Sequence, residues 1–84
     1  MASYRPVFDA SVVDALGQLS KQKERKALAL VRELALHPFL RSDYSLPDES
    51  GRAIDYILIE EFVFGYWLDH IAREVRIVEI ELAL

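Results

Sequence analysis

Residues 51–84, GRAIDYILIEEFVFGYWLDHIAREVRIVEIELAL, decide the fold of this chain. Three runs in this stretch are rich in Ile, Val, Phe, Tyr and Trp, the composition typical of β-strands: Ala53–Ile59, Phe62–Leu68 and Val75–Leu82. The breaks between them are short and polar, Glu60–Glu61 in the first case and Asp69–Glu74 in the second. Because short connections join antiparallel neighbours, this stretch predicts an antiparallel meander of three strands.

The residues before the sheet predict a further strand and a first helix. Tyr4–Phe8 is a short apolar run, and Pro6, which cannot donate a ladder hydrogen bond, restricts it to a sheet edge or a strand end. Ser11 and Asp14 have the spacing of a capping box ahead of apolar residues at helical intervals. The first helix is therefore predicted to begin at Ser11 and to end near residues 17–20.

A second helix is predicted from about Lys21 to Leu36. Ser20 can cap it, and apolar residues recur along it at helical spacing. Pro38 disfavours helical geometry at His37, so the helix should stop there. The two helices are expected to form an antiparallel pair that packs on the sheet, giving an α+β domain.

The segment Phe39–Ser50 is predicted as a loop, because it is rich in turn-forming residues. Two interpretations of it stay open at this point. It is either a crossing connection whose Tyr44 and Leu46 plug the edge of the core, or a loop that binds a substrate or a partner.

Composition restricts the class of protein. A chain of 84 residues predicts one domain of marginal stability over residues 1–84, and the absence of cysteine fits a reducing compartment. The N-terminus has no apolar core typical of a signal peptide, and no run approaches the roughly 20 residues of a membrane-spanning helix. The sequence therefore predicts a cytoplasmic protein without membrane contact. The net charge of −4 argues against a wholly nucleic-acid-binding surface.

The predicted sheet has apolar residues on both faces. Strict alternation along the last strand would put Val78, Ile80 and Leu82 on one face, whereas Glu79 and Glu81 would join Val75 and Ile77 on the other. Two short helices can cover only one face, so some apolar surface should remain for a partner or a second copy of the chain.

Few residues could carry chemistry. Arg52 and Arg76 are the candidate catalytic cations, and the candidate binding residues are Tyr44, Tyr66, Trp67 and Arg73. Charge pairing with Glu74 or Asp69 is the favoured explanation of Arg73 and Arg76, and at least one of Tyr66 and Trp67 should be core. The sequence has no metal-ligand spacing and no phosphate-binding glycine loop, so neither a metal nor a cofactor is predicted.

The order of elements resembles the RelE/ParE superfamily of toxins from type II toxin–antitoxin systems. YRPVFDASVVDALGQL is similar to the family's strand and first helix, ALALVRELALHP to its second helix, and IDYILIEEFVFGYW with EVRIVEI to its last strands. The resemblance implies a toxin that acts on messenger RNA and translation or on DNA gyrase, and that a cognate antitoxin neutralises.

The chain departs from the ribonuclease members of that superfamily in charge. Those members place basic residues in the loop before the sheet, at its first turn and after its last strand. Here the corresponding positions carry acids, which include Asp48, Glu60 and Glu81, and Arg52 is the nearest remaining cation. The alternative to a toxin is therefore a non-catalytic or degenerate binding protein of the RelE/ParE type.

Overall fold

The computed structural model describes residues 3–83. Its elements in chain order are β1 (Arg5–Phe8), α1 (Ala10–Gly17), α2 (Lys21–Leu36), β2 (Tyr44–Pro47), β3 (Ala53–Ile59), β4 (Phe62–Asp69) and β5 (Glu74–Leu82). The strands form one sheet in the order β1-β5-β4-β3-β2, in which β1 is parallel to β5 and the other neighbours are antiparallel. The predicted α+β fold with a mainly antiparallel sheet is confirmed.

Strand β2 lies inside the segment that the sequence predicts as a loop, so that prediction is wrong over Tyr44–Pro47. Tyr44 pairs with Tyr56, and Leu46 pairs with Ile54, at the outer edge of the sheet. Tyr44 and Leu46 are 50% and 52% exposed, so neither plugs the core. A strand of four residues that ends in proline is too short to show a clear apolar run.

Helix α1 begins earlier than the predicted capping box indicates. Asp9 is its N-cap, and the Asp9 carbonyl accepts hydrogen bonds from the N–H groups of Val12 and Val13 at 2.9 and 3.1 Å. Ser11 therefore lies within the helix, and the prediction of Ser11 as its start is wrong. The Asp9 side chain makes no capping hydrogen bond.

Helix α2 has the predicted boundaries and the predicted cap. The Ser20 hydroxyl accepts a hydrogen bond from the Lys23 N–H at 3.2 Å, which satisfies one of the free donors of the first turn. At the other end, the His37 N–H donates to the carbonyls of Glu33 and Leu34, and the chain leaves the helix before Pro38.

Replacing Ser20 with alanine should lower the free energy of unfolding by about 1 kcal/mol, because α2 then loses its capping hydrogen bond. Asp9→Ala is the matched control, since Asp9 occupies the same position at α1 without a side-chain bond and should cost less than half as much. Urea unfolding of both variants measures the difference. Equal losses would show that the Ser20 hydroxyl contributes nothing specific.

The core lies between the two helices and one face of the sheet. Its helix side chains include Val12, Leu16, Val31 and Leu34, and its sheet side chains include Ile57, Phe62, Phe64, Tyr66, Val75 and Ile77. Within residues 3–83, no helix covers the opposite face of the sheet, and we call it the open face.

A shift in register between β4 and β5 changes which side chains of β5 reach the open face. Gly65 pairs with Glu79, whereas Tyr66 pairs with Ile77, so Val78 is an extra residue on β5. Ile77 and Ile80 consequently both lie towards the core. The predicted grouping of Glu79 with Val75 and Ile77 on one face is wrong, because a bulge interrupts the alternation on which it rests.

Candidate functional site

The register of the strands assigns the side chains of the open face. Cross-strand partners share a face, so the pairs Tyr44–Tyr56, Leu46–Ile54, Leu58–Val63, Val63–Glu81, Gly65–Glu79 and Trp67–Arg76 all lie on it. Tyr44, Leu46 and Leu58 are each at least half exposed there. The structure thus leaves aromatic and aliphatic side chains accessible on the sheet face that the helices do not cover.

Arg52, Trp67 and Arg76 come together on the open face. The Arg52 guanidinium carbon lies 3.8 Å from the centre of the Trp67 ring, and that of Arg76 lies 5.6 Å from it. Both distances are within the range of cation–π attraction, and indole is the strongest aromatic partner. Three of the residues predicted from sequence therefore form one cluster, although they come from three different segments of the chain.

Glu74 compensates much of the positive charge beside this cluster. Its carboxylate accepts hydrogen bonds from Arg76 at 2.9 Å and from Arg5 of β1 at 3.0 Å, and its side chain is only 12% exposed. A carboxylate shared by two guanidinium groups holds both in fixed directions. It also weakens the attraction of Arg76 for an incoming anion.

Tyr56 and Glu79 form a second feature of the open face, which the sequence analysis did not identify. The Tyr56 hydroxyl donates a hydrogen bond to Glu79 Oε1 at 3.1 Å, and the Tyr44 ring stacks on the Tyr56 ring with centroids 4.9 Å apart. Burial raises the pKa of the Tyr56 phenol, and the hydrogen bond to the Glu79 carboxylate raises that pKa further.

Gly65 makes the contact between Tyr56 and Glu79 possible. A Cβ atom at Gly65 would lie 2.8 Å from Tyr56 Cε1 and 3.1 Å from Glu79 Cβ, which is closer than side-chain atoms normally approach. The Tyr56 ring thus crosses β4 where that strand has no side chain. A glycine inside an apolar strand was the one signal in the sequence for this close approach.

A groove of about 630 Å³ lies between the β2–β3 turn and Asp9. Its lining includes the apolar residues Ile54 and Val78, the Tyr56 ring, and the acidic residues Asp9, Asp48, Glu49 and Glu79. Ile54 is only 3% exposed, although it lies on the open face rather than in the core beneath the helices. The groove is therefore lined by both apolar and acidic residues, and Ile54 contributes little accessible surface to it.

Asp48 organises the turn that borders the groove. Its carboxylate accepts hydrogen bonds from the Ser50 hydroxyl at 2.7 Å, the Ser50 N–H at 2.8 Å and the Arg52 N–H at 2.9 Å, while Gly51 adopts a φ of +87°. The bond from the Ser50 hydroxyl is the main cause that lowers the pKa of Asp48. Asp48 thus stays charged and fixes the position from which the Arg52 side chain leaves the turn.

Two of the predicted binding residues do not join the open face. Tyr66 is 1% exposed in the core, so its ring has no free surface for a partner, and its predicted role in binding is wrong. Adjacent residues of a strand point to opposite faces of the sheet, so Trp67 lies on the open face. Arg73 lies in the β4–β5 turn with a φ of +56° and lines a different groove.

This second groove, of about 440 Å³, lies between the end of α2 and the β4–β5 turn. The Tyr4 hydroxyl is 2.7 Å from His70 Nδ1, and the Phe39 ring stacks on the His70 ring at 6.0 Å. The imidazole of His70 is therefore engaged with these aromatic side chains rather than with the guanidinium groups of the open face.

The described residues hold no group of three or more His, Cys, Asp or Glu side chains placed to bind a metal ion. No helix within residues 3–83 is both long and apolar enough to span a membrane.

A helical hairpin on one face of a mixed five-stranded sheet, with arginine and aromatic side chains on the other face, defines a RelE-like architecture. Among solved structures, the chain is similar to the archaeal RelE–RelB complex from Pyrococcus horikoshii OT3, with a TM-score of 0.72 and 19% sequence identity. The alignment covers 98% of this chain and 97% of that chain. At this level of sequence identity, the structural similarity establishes the fold. It confirms the resemblance to the RelE/ParE superfamily at the level of the fold. No protein-family model matches the sequence, and no curated protein matches it either.

Proposed function

We propose that residues 1–84 act as one toxin domain of a type II toxin–antitoxin pair, which a cognate antitoxin neutralises. The observation that carries this proposal is the likeness to RelE, which extends over 98% of the chain and comes from a RelE–RelB complex. The exposed aromatic and aliphatic side chains of the open face support it further, because such a surface is typical of a protein that binds a partner.

The charges of the open face favour inhibition by binding over cleavage of RNA. Cleavage through a 2′-hydroxyl needs a proton acceptor, a proton donor and concentrated positive charge around the phosphate. Arg52 and Arg76 supply positive charge, but Glu74 already binds Arg76, and Glu79 adds a further negative charge. We therefore assign Arg52, Trp67 and Arg76 to recognition of the cellular target, with messenger RNA on the ribosome or DNA gyrase as the two candidates.

Expression of the chain without an antitoxin should slow bacterial growth, and the variant with both Arg52→Ala and Arg76→Ala should restore it to near the uninduced rate. The two substitutions remove the guanidinium groups that flank Trp67. Because Arg52 is exposed, its removal should alter the free energy of unfolding by at most about 1 kcal/mol, whereas Arg76→Ala should cost about 1 to 3 kcal/mol because the buried Glu74 then keeps only Arg5. Growth curves after induction and thermal melts of the purified variants give the two measurements.

Arg73→Ala is the matched control for that experiment. It removes the same chemical group from the β4–β5 turn, which lies beside the second groove. Growth inhibition should persist in this variant. A soluble, well-expressed wild-type chain that leaves growth unchanged would refute the toxin function, and equal rescue by Arg73→Ala would refute the assignment to the open face.

A further inference from the structure

The groove on the open face is lined by both apolar and acidic residues. Ile54, Val78 and the Tyr56 ring line it together with Asp9, Asp48, Glu49 and Glu79. Its volume of about 630 Å³ is large enough for two or three side chains of an extended peptide. An extended segment that crosses a sheet face presents alternate side chains to it, because the side-chain period of a strand is two.

Within the described residues, no salt bridge involves the carboxylates around this groove, although the nearby positive charge of Arg52 helps to lower the pKa of Asp48. The salt bridges of residues 3–83 use Glu33, Glu60, Glu61 and Glu74, and none of them uses Asp9, Asp48, Glu49 or Glu79. Hydrogen bonds within the β2–β3 turn hold Asp48, and the Tyr56 hydroxyl donates to Glu79. Neither of these contacts removes the negative charge, so the groove attracts cations and repels phosphate groups.

Tyr44 and Tyr56 add aromatic surface beside Glu79. The stacked rings lie 4.9 Å apart, and Tyr44 keeps half of its surface exposed. An ammonium or guanidinium group that enters here gains attraction from the ring faces as well as from the carboxylate. The aliphatic stem of a lysine or arginine can also pack on Val78, which is only partly buried, and this leaves the charged end near the acidic groups.

We propose that this groove docks an extended basic segment of a partner protein, with a lysine or arginine side chain beside the Tyr44–Tyr56 stack and Glu79. This inference rests on the proposed function, because it names the class of partner that the open face of the toxin binds. The complementarity of charge selects the occupant: an acidic peptide or a single-stranded RNA would bring more negative charge to a surface that already carries an excess of it.

The test uses three fluorescein-labelled probes and measures their anisotropy with the purified chain. The first probe is a nine-residue peptide that alternates lysine with valine or alanine, the second has glutamate in place of lysine, and the third is a nine-nucleotide single-stranded RNA. The lysine peptide should bind more tightly than either of the others by about tenfold or more, and added salt should weaken it. Tighter binding of the RNA or of the glutamate peptide would overturn the inference.

Variants locate the binding of the lysine peptide. Glu79→Gln removes the charge but keeps an acceptor for the Tyr56 hydroxyl, and Tyr44→Ala removes the outer ring; each should weaken binding about threefold. Glu33→Gln is the matched control, because it removes the same charge from the exposed surface of α2 and should leave affinity unchanged. Equal weakening by Glu33→Gln would show unspecific attraction to an acidic protein and would overturn the inference.

The growth assay separates this inference from the function on which it rests. Growth inhibition without binding of the lysine peptide would refute the basic partner and leave the toxin function standing. Specific binding of the peptide by a chain that does not inhibit growth would support the groove and refute the toxin function.

Discussion

Phe64→Ala should lower the free energy of unfolding by about 3 to 5 kcal/mol, because it removes a fully buried ring from the centre of β4 and leaves a cavity between sheet and helices. For a chain of this length, such a loss lowers the melting temperature by at least about 12 °C. Since small domains have a total stability of only about 5 to 15 kcal/mol, the variant is expected to lose much of its stability. Thermal unfolding followed by circular dichroism measures the effect.

Ile71→Ala is the control for this substitution. Ile71 is 100% exposed in the β4–β5 turn, so its truncation should leave the melting temperature within about 3 °C of the wild type. A loss at Phe64 no larger than that at Ile71 would contradict the described core. Core variants such as Phe64→Ala will also abolish any growth inhibition by unfolding the chain, and for this reason they cannot locate the working surface.

The structure explains why some elements were predictable from sequence. Helix α2 has a capping serine, a regular apolar periodicity and a proline after its end, and all of these local signals agree. Strands β3, β4 and β5 are long enough for their composition to identify them. Strand β2 has only four residues, and pairing with β3 rather than its own composition keeps it extended.

The orientation of side chains on β5 could not be predicted in the same way. The bulge at Val78 depends on how β4 pairs with β5, and no residue type in the run marks it. Strict alternation of side chains was therefore the only available rule, and it wrongly placed Val75 and Ile77 on the same face of the sheet as Glu79. The error matters for function, because the bulge puts Arg76 on the same open face as Glu79, where it pairs with Trp67.

The candidate site could be predicted only in part, because the local sequence does not show which residues the fold brings together. Arg52, Trp67 and Arg76 could be named from residue type, but only the fold brings the two guanidinium groups to one indole ring. In the sequence, nothing distinguishes Tyr56 from the other apolar residues of its strand. Its contact with Glu79 depends on Gly65, which lies between them and has no side chain. Such a contact across three strands has no signature in the local sequence.

The second large effect that we expect concerns RNA cleavage. Purified chain should cleave ribosome-bound messenger RNA at least about 100-fold more slowly than an active RelE toxin assayed beside it, because loss of a single stabilising contact to the transition state already costs that much. Here Arg76 is bound to Glu74, and Glu79 and Glu81 place further negative charge on the same face. Primer extension on translated messenger RNA gives the cleavage rate.

The variant with both Arg52→Ala and Arg76→Ala controls for a contaminating nuclease. Cleavage that persists in this variant comes from another protein, whereas cleavage that disappears with the two guanidinium groups comes from the open face. Wild-type rates comparable to those of the active toxin, together with loss of cleavage in the variant, would refute inhibition by binding and make Arg52 and Arg76 catalytic residues. Growth inhibition by a chain that leaves messenger RNA intact would instead direct the search to a protein target, since the acidic groove between the β2–β3 turn and Asp9 favours a basic polypeptide over a phosphodiester chain.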